Sequence, residues 1–339
     1  MFKGFAGVWS PLALAREVGR KPRPFKLAGE PVVLFRDRQG RPAALIDRCP
    51  HRGVQLSLGR VTGDGCLECP FHGWRFQADG RCAHVPLNHI PEDRLVRHRA
   101  TALPVREAAG LLWVHTGPDP EDEPLVPDVL TDPRHSIFRL AKTWRAHWTR
   151  AMENMLDLPH LPYVHRRTIG FDLRRRLRPD SLMELTTEET PTGMVVRWSL
   201  DGQPDPAHLV WMKPNGMQLF VPVPGRQLFI HVWCVPIDQE HTRMVAVTAR
   251  NFGRYNPLVR LFDQVNRYIL HEDQAVVESS QPPIVPPAAS EVSVPTDRPT
   301  LAFRKYYFNV LTPEERPDAK AQTGRSEPRH PLFQPTGAS

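Results

Sequence analysis

The chain has 339 residues, which suits about two domains, and 24% of them are charged, as in an ordinary globular protein. The net charge of +7 comes without a long Lys/Arg run or a nucleic-acid-binding motif, so we expect no nucleic-acid partner. No apolar run reaches the length of about eighteen residues that a membrane span needs.

The cysteines point to metal chemistry rather than to disulfide bonds. Their odd number, and the crowding of four of them early in the chain, argue against a disulfide framework and for a metal site in a reducing compartment. We therefore expect a cytoplasmic protein. The five cysteines are Cys49, Cys66, Cys69, Cys82 and Cys234.

The first third of the chain is predicted to be mostly strands. Ser10 followed by Pro11 is typical of a helix start, so residues 11–18 are expected to form a short surface helix. Short apolar runs broken by turns then predict strands, with a hairpin over 32–35 and 43–46 and a closing strand over 110–115. The Pro-rich acidic stretch that follows predicts a linker over residues 117–129.

The rest of the chain alternates a few helical patterns with many strand-like runs. Residues 150–158 and 258–277 have helical patterns, and the second is the longest in the chain. Strands are predicted over 135–148, 194–200, 209–213, 217–223, 228–235 and 244–250, with a turn at 224–226. Residues 313–339 have little to bury and predict a disordered or wrapping tail.

Two short segments each offer one thiolate and one imidazole. They read Cys49-Pro-His51-Arg-Gly and Cys69-Pro-Phe-His72-Gly-Trp. Two cysteines and two histidines are the ligand set of a Rieske [2Fe–2S] cluster, in which both histidines bind one iron. A structural zinc site is the alternative, but zinc sites usually pair Cys-x-x-Cys with His-x₃₋₅-His, so the spacing favours the cluster.

A third segment combines a carboxylate with two further histidines. It runs from Glu153-Asn154 through Asp157 to His160 and His165. Two histidines and a carboxylate form the facial triad of non-haem Fe(II) oxygenases. Residues five apart on an unbroken helix point about 140° apart, so the two histidines converge only because prolines interrupt the helix between them. Asp157 is three residues before His160 and can orient its imidazole.

Together these motifs resemble those of Rieske non-haem iron oxygenase alpha subunits, in particular the homo-oligomeric monooxygenase and O-demethylase-like branch. The resemblance implies an α+β fold, with an all-β Rieske domain over 1–116, a linker over 117–129 and a catalytic domain over 130–312. In that second domain an antiparallel sheet holds long helices in a helix-grip-like arrangement. The implied cofactors are a [2Fe–2S] cluster and a mononuclear Fe(II), with O₂ as co-substrate.

The resemblance also assigns residue roles. His160 and His165 would bind the iron, with a distant aspartate as third ligand, for which we choose Asp273. Glu278 is the fallback for that ligand, whereas Glu272 is expected to face a different side of the helix. The candidate catalytic residues are Asp157 and Asn154, and Asp157 would bridge to the His72 of a neighbouring subunit, which implies a homotrimer.

The expected reaction is hydroxylation or demethylation of a small organic substrate, aromatic or polycyclic, with electrons from a separate NAD(P)H-dependent reductase or a ferredoxin. Two alternatives stay open: an arene cis-dihydroxylating dioxygenase alpha subunit, and an electron-transfer protein with an inactive second domain. The intact set of Asp157, His160 and His165 disfavours the electron-transfer alternative.

Substrate contacts and docking surfaces are less clearly encoded. The pocket candidates are large strand residues: Trp211, Met212, Met217, Phe220, Phe229 and Trp233. Arginines follow the iron motif at 166, 167 and 174–176, and a solvated loop is preferred for them over a cap on the site. Arginines also flank the cluster loops and could steer an acidic redox partner: Arg48, Arg52, Arg60 and Arg75.

Overall fold

The computed structural model describes residues 1–253 and 259–313 of the chain. It is an α+β protein in which small β-sheets come first and a sheet-rich region follows, as the sequence predicts. All strand pairs are antiparallel. Among the described residues, no helix has both the length and the apolar character that crossing a bilayer requires.

Eleven strands and one short helix form the N-terminal region, in three sheets. One sheet has the order β1-β11-β10, a second β2-β3-β4-β9 and a third β5-β6-β7-β8. Their bounds are β1 Trp9–Leu14, β2 Arg23–Leu27, β3 Glu30–Arg36, β4 Pro42–Ile46, β5 Arg60–Val61, β6 Leu67–Glu68, β7 Arg75–Phe76, β8 Cys82–His84, α1 Glu92–Leu95, β9 Ala102–Leu103, β10 Val105–Ala108 and β11 Leu111–His115.

The helix predicted over residues 11–18 is wrong, because this segment begins with β1, a strand whose six residues are all buried. The helix-start signal is overridden by tertiary packing: Ser10 is fully buried and accepts a hydrogen bond from Asn215 Nδ2 at 2.9 Å. Pro11 is tolerated because β1 is the edge strand of its sheet and its pairing with β11 shifts register next to Pro11.

A seven-stranded sheet with the order β12-β18-β17-β16-β15-β14-β13 dominates the second region. Its strands are β12 Ser136–Trp144, β13 Met183–Thr190, β14 Gly193–Leu200, β15 Gln203–Met212, β16 Gly216–Val223, β17 Arg226–Pro236 and β18 Thr242–Arg250. The predicted hairpin turn after β16 is confirmed, since Val223 pairs with Arg226. Strand β13 was not predicted, because its residues are half-buried or exposed and show no apolar run.

Five helices accompany this sheet: α2 Trp148–Leu156, α3 Leu161–Val164, α4 Phe171–Arg176, α5 Val259–Val277 and α6 Arg298–Tyr306. The first residue of the helix predicted over 258–277 lies outside the described residues, and so does the predicted tail from residue 314 onward. Helix α5 is the longest of the described helices, and α6 continues directly into a π-helical turn over Tyr307–Leu311.

Two hydrophobic cores support the two sets of candidate ligands. The smaller core lies within the N-terminal region and includes Cys49 and Cys69 beside fully buried side chains such as Phe35 and Phe76. The larger core joins β1 and β11 to the seven-stranded sheet and α2. The first pair of loops is therefore anchored in a core of its own, whereas the second set of ligands depends on packing across the whole second region.

Candidate metal centres

The two cysteine–histidine loops have the same backbone geometry. In each, the N–H of the cysteine, Cys49 or Cys69, donates to the carbonyl five residues further on, at 2.8 Å in both loops. The glycine after each histidine, Gly53 or Gly73, donates its N–H back to the cysteine carbonyl at 2.9 and 3.1 Å. Both glycines have positive φ angles, 73° and 70°, a conformation that side-chain-bearing residues disfavour. Local hydrogen bonding thus shapes both loops.

The loops bring their four candidate ligands together. The sulfurs of Cys49 and Cys69 are buried, and the ring centroids of His51 and His72 are 4.7 Å apart. His51 Nδ1 is buried and has no hydrogen-bond partner among the described residues, which leaves it free to bind a metal. Burial, with Cys69 adding to it, raises the pKa of the Cys49 thiol to about 11, so a metal at this sulfur has to displace a proton.

The arrangement fits a two-iron cluster better than a single zinc ion. A tetrahedral ion would require all four ligand atoms to lie within about 4 Å of one another. Among the described residues, the only group of potential metal ligands whose atoms all lie within 4.8 Å of one another is His160, His165 and Asp273. The four residues of the cysteine–histidine loops do not form such a compact group. A cysteine pair and a histidine pair that are separate from each other match one iron each of a [2Fe–2S] cluster.

The histidine side of the loops faces solvent. His72 is exposed, and its neighbour Phe71 is 59% exposed. His51 is stacked on Trp74, with ring centroids 4.6 Å apart and planes only 4° from parallel. One imidazole is therefore fixed by an indole, and the other is accessible to another molecule.

The second centre is built around helix α2. His147 caps this helix, because its side chain accepts a hydrogen bond from the N–H of Thr149. Burial lowers the pKa of His147 to about 4, so its ring is neutral near pH 7 and Nδ1 can accept. The helix ends at Leu156, and Asp157 has an extended backbone with φ −82° and ψ 135°.

The break after α2 lets two histidines converge. His160 and His165 lie at the two ends of the single-turn helix α3, and their ring centroids are 5.2 Å apart. Asp273 on α5 completes the group: one ligand atom from each of the three residues lies within 4.8 Å of the others. Asp273 Oδ1 is 3.0 Å from His165 Nε2 and 3.6 Å from His160 Nε2.

Asp273 has the orphaned oxygen that a metal site requires. Its Oδ1 is buried but makes no well-aligned hydrogen bond with any described residue, despite the short distance to His165. The oxygen and the two Nε2 atoms therefore face a shared point rather than each other. Two imidazoles and one carboxylate around a shared point fit a mononuclear iron.

Each imidazole is held from behind by a carboxylate. His160 Nδ1 donates to Asp157 Oδ2 at 3.0 Å, and the same oxygen accepts from the His160 backbone N–H at 3.0 Å. His165 Nδ1 donates to Glu272 Oε2 at 2.9 Å, which also accepts from the Thr168 hydroxyl at 2.7 Å. Both histidines thus carry the proton on Nδ1 and present Nε2 to the metal point.

Glu272 lies on a different side of α5 from Asp273, yet it still contacts a candidate iron ligand. Adjacent helix residues point about 100° apart, so Glu272 and Asp273 project in different directions. An imidazole has two ring nitrogens on different sides, and each carboxylate contacts one of them: Glu272 lies next to Nδ1 of His165, and Asp273 lies next to Nε2. The sequence feature that indicates this contact is the adjacent acidic pair Glu272-Asp273. The fallback ligand Glu278 lies elsewhere, where it accepts a hydrogen bond from the Arg145 backbone N–H at 2.8 Å.

Two carboxylates make the surroundings of His165 electronegative. Burial lowers the pKa of His165, but the carboxylates of Asp273 and Glu272 outweigh burial and raise it overall. A cation at the shared point would supply the charge that these carboxylates otherwise draw from a proton.

A narrow cavity of about 50 Å³, partly continuous with solvent, opens from the three candidate ligands. Its wall is mostly apolar and comes from the seven-stranded sheet, α2, α3 and α5, with residues such as Leu219, Ile230 and Val232. Of the six predicted pocket residues, only Met217 lines it. Met212, Phe220, Phe229 and Trp233 lie on the other face of the sheet, since each is adjacent to a residue on the cavity face. Trp211 is on the same face as Leu209, but its ring packs against Phe303 and Tyr306 instead.

Three residues of the iron motif also line an outer groove. Asn154, Asp157 and His160 line both the cavity and this groove, which runs between α2, the end of α5 and α6. The amide Nδ2 of Asn154 is buried and has no hydrogen-bond partner among the described residues. These three residues therefore separate the cavity from the groove.

A closed ring of four ion pairs, which sequence reasoning missed, lines the groove. Arg150 binds Glu153 at 2.9 Å and Glu291 at 2.7 Å, and Arg304 binds the same two glutamates. The arginines also donate to the carbonyls of residues 282 and 286. The ring ties α2 to α6 and to the loop before it, which fixes the helix that precedes Asp157.

The arginines after the iron motif belong to the surface, as preferred from the sequence. Arg166 and Arg167 are exposed, and so are all three arginines at the end of α4. Arg176 is paired with Asp172 and Asp205, and none of these arginines lines the cavity.

Comparison with known proteins agrees with both centres. A Rieske [2Fe-2S] domain model matches residues 8–94, and a model of the vanillate O-demethylase oxygenase C-terminal domain matches residues 144–223 and 211–311. The chain is 30% identical over 275 residues to a phenoxybenzoate dioxygenase subunit alpha of Ectopseudomonas oleovorans, covering 74% of this chain and 65% of that one.

A chlorophyllide a oxygenase of Chlamydomonas reinhardtii is 29% identical over 293 residues, covering 82% of this chain and 44% of its own length. The chain thus spans about half the length of the curated relatives it matches. Among solved structures, NdmA of Pseudomonas putida CBB5 superposes with a TM-score of 0.75 at 25% identity, with 90% of both chains covered. From these matches and the two ligand sets, the chain belongs to the Rieske non-haem iron oxygenases, whose cofactors are a Rieske [2Fe–2S] cluster and a mononuclear iron.

Proposed function

We propose that this protein is an oxygenase that uses O₂ and electrons from a separate redox partner to hydroxylate or demethylate a small, largely apolar aromatic substrate. The observation that carries the proposal is the convergence of His160, His165 and Asp273 on one point at the end of an apolar cavity. A largely apolar cavity with a few convergent polar groups is typical of a small-molecule site.

We propose Cys49, His51, Cys69 and His72 as the cluster ligands, and His160, His165 and Asp273 as the iron ligands. When bound, the iron activates O₂ and the cluster supplies electrons of suitable potential. The apolar side chains of the cavity exclude water and hold the substrate near the metal point. Asp157 and Glu272 keep the Nδ1 protons in place, so that both histidines present a neutral Nε2.

The proposed boundaries are 1–116 for the Rieske domain, 117–129 for the linker and 130–312 for the catalytic domain. Strand β11 ends at His115 and β12 begins at Ser136, and only a single short 3₁₀ turn lies between them. A reducing compartment such as the cytoplasm is consistent with five cysteines that are all free thiols.

We also propose a homotrimer in which the cluster loops of one subunit dock into the outer groove of the next. The exposed His72 and Phe71 form a projecting tip, and the groove offers exposed apolar side chains such as Val276 and Val292. Asp157 Oδ2 is occupied by His160, whereas Oδ1 has no hydrogen bond to a described residue and can receive the partner's imidazole N–H. A head-to-tail contact of this kind closes into a ring.

The separate electron donor is proposed to be a reductase or ferredoxin with an acidic surface. Two of the four arginines expected to steer it are paired with carboxylates, because Arg60 and Arg75 share Glu68, at 2.8 and 2.9 Å, and Arg75 also lies 3.7 Å from Asp64. The remaining two, Arg48 and Arg52, are exposed and form no ion pair with a described residue. Fewer unpaired arginines therefore surround the cluster loops than the sequence predicts.

The test of the proposed activity is an oxygen-uptake screen of the iron-loaded protein with a generic reductase and aromatic methyl ethers. Substrate-dependent oxygen uptake with stoichiometric formaldehyde identifies demethylation, whereas a cis-diol product identifies the dihydroxylating alternative. Full iron loading without any substrate-dependent uptake would contradict the proposal and favour the electron-carrier alternative.

A further inference from the structure

Thr248 is a buried polar residue in an otherwise apolar row of the sheet. It is in register with Ile230, which pairs with Leu219, and Leu219 pairs in turn with Leu209; all four residues line the cavity. Thr248 is only 4% exposed, and its hydroxyl makes no hydrogen bond with any described residue. Because Thr248 lines the cavity, the hydroxyl can donate to or accept from a ligand there.

Asn266 on α5 lines the opposite wall of the cavity and is half-buried. It precedes Asp273 by two helical turns on the same face, which places it about 10 Å from that residue along the helix axis. Its amide also makes no hydrogen bond within the part of the chain that the structure describes. The helix thus presents a metal ligand at one end of the cavity and an amide at the other.

Contacts between α5 and β12 show that these two polar residues lie at the same end of the cavity. The Arg267 guanidinium is 5.7 Å from the ring centre of Phe138, and Phe138 pairs with Thr248 across the sheet. One turn later, His271 contacts Lys142, four residues further along β12. The Asn266 turn therefore lies over the row of Thr248, and α5 continues past that row towards Asp273.

We propose that Asn266 and Thr248 form a polar subsite, at the end of the cavity away from the metal point, that recognises an uncharged hydrogen-bonding group on the substrate. The subsite rests on the proposed function and deepens it: the substrate is an aromatic molecule with the reacting carbon at one end and a carboxamide, carbonyl or hydroxyl group at the other. An amide and a hydroxyl can each donate and accept, so they suit such a group.

The charge of the lining disfavours an anionic substrate group at this position. Among the described residues that line the cavity there is no lysine or arginine, and the charged ones are the carboxylates Asp157 and Asp273. Arg250, two residues after Thr248 on β18, does not line the cavity. A carboxylate buried here would lack a cationic partner, which costs far more than burying a hydrogen-bonded amide.

The test compares two probes of nearly the same shape, 4-methoxybenzamide and 4-methoxybenzoate, by equilibrium dialysis against the iron-loaded protein without oxygen. The benzamide should bind at least about tenfold more tightly. The nearly isosteric variants Asn266→Leu and Thr248→Val should weaken benzamide binding and reduce the preference. The matched control Leu219→Val, in the same row as Thr248, should weaken both probes equally.

Tighter binding of the benzoate, or no binding of either probe at millimolar concentration, would overturn the subsite. If the variants do not fold, the comparison of the two probes on the unmodified protein still decides. Failure of the subsite can be told from failure of the proposed function: benzamide binding without oxygen uptake rejects only the oxygenase, whereas uptake coupled to the benzoate alone rejects only the subsite.

Discussion

The two candidate centres hold their ligands by different means. In the cysteine–histidine loops, backbone hydrogen bonds within each loop set the geometry, and the same pattern occurs twice at nearly the same distances. Around the iron site, side chains from separate elements hold the histidines in place. Asp157 follows α2, while Glu272 and Asp273 come from α5, more than a hundred residues later. The first centre is therefore expected to tolerate distant substitutions, whereas the second depends on long-range contacts.

The largest effect should come from Asp273→Ala. Removing the only carboxylate at the shared point should release the mononuclear iron and abolish substrate-dependent oxygen uptake, while the cluster is retained. Iron analysis together with the visible spectrum of the cluster measures both outcomes. Loss of the cluster spectrum as well would mean that the two centres are not independent.

A smaller but still severe effect is expected for Asp157→Ala. Because Asp157 hydrogen-bonds His160 from the groove side rather than facing the metal point, both metals should remain bound. Turnover should fall by more than about 100-fold, since a carboxylate that orients a ligand typically contributes 10–100-fold and the proposed subunit contact adds to this. Iron content and coupled oxygen consumption measure the two quantities, and near-normal consumption would refute the role.

Glu272→Gln tests whether the second imidazole is held in the same way. Weakening the hydrogen bond to His165 Nδ1 should lower the affinity for Fe(II) by about 10–100-fold and leave the cluster unchanged. Anaerobic titration of the iron-depleted protein with Fe(II) measures the affinity. Glu278→Gln is the matched control, six residues further along the chain, and should keep the affinity of the unmodified protein. Equal affinities in both variants would mean that Glu272 has no positioning role.

The smallest effect concerns electron entry. Arg52→Glu should slow reduction of the cluster by an acidic ferredoxin severalfold at low salt, with little effect at high salt, because an unpaired surface charge acts mainly on the association rate. Arg60→Glu is the control at the same loops, although it also repels Glu68, to which Arg60 is bound. Stopped-flow reduction with ferredoxin, compared with dithionite, checks the prediction; rates that do not respond to salt would place the docking surface elsewhere.

The difference between the two centres also explains how far the sequence could be interpreted. The cluster loops are local, so spacing alone predicted all four candidate ligands and the glycine turns. The α+β fold and most strands of the large sheet followed from apolar runs, but β1 did not, since only its burial beside Asn215 and β11 overrides the helix signal at Ser10.

At the iron site, less could be predicted from the sequence. Asp273 follows from the family resemblance alone. The contact of Glu272 with His165 could not be predicted, because the direction of a single helix residue does not show which side of a distant imidazole it meets. The cavity residues were misjudged because strand alternation, not side-chain size, decides which face a residue lines: Ile230 and Val232 face the cavity, whereas Phe229 and Trp233 do not.

The central claim is that one chain carries both a two-iron cluster and a separate mononuclear iron. The most direct measurement is iron and acid-labile sulfide per chain after anaerobic reconstitution, for the unmodified protein and for Asp273→Ala and the Cys49→Ser, Cys69→Ser double variant. The account predicts about three irons in the unmodified protein, about two in Asp273→Ala and about one, without sulfide, in the double variant. A protein that binds a single zinc at the cysteine–histidine loops, or keeps all its iron in Asp273→Ala, would contradict it.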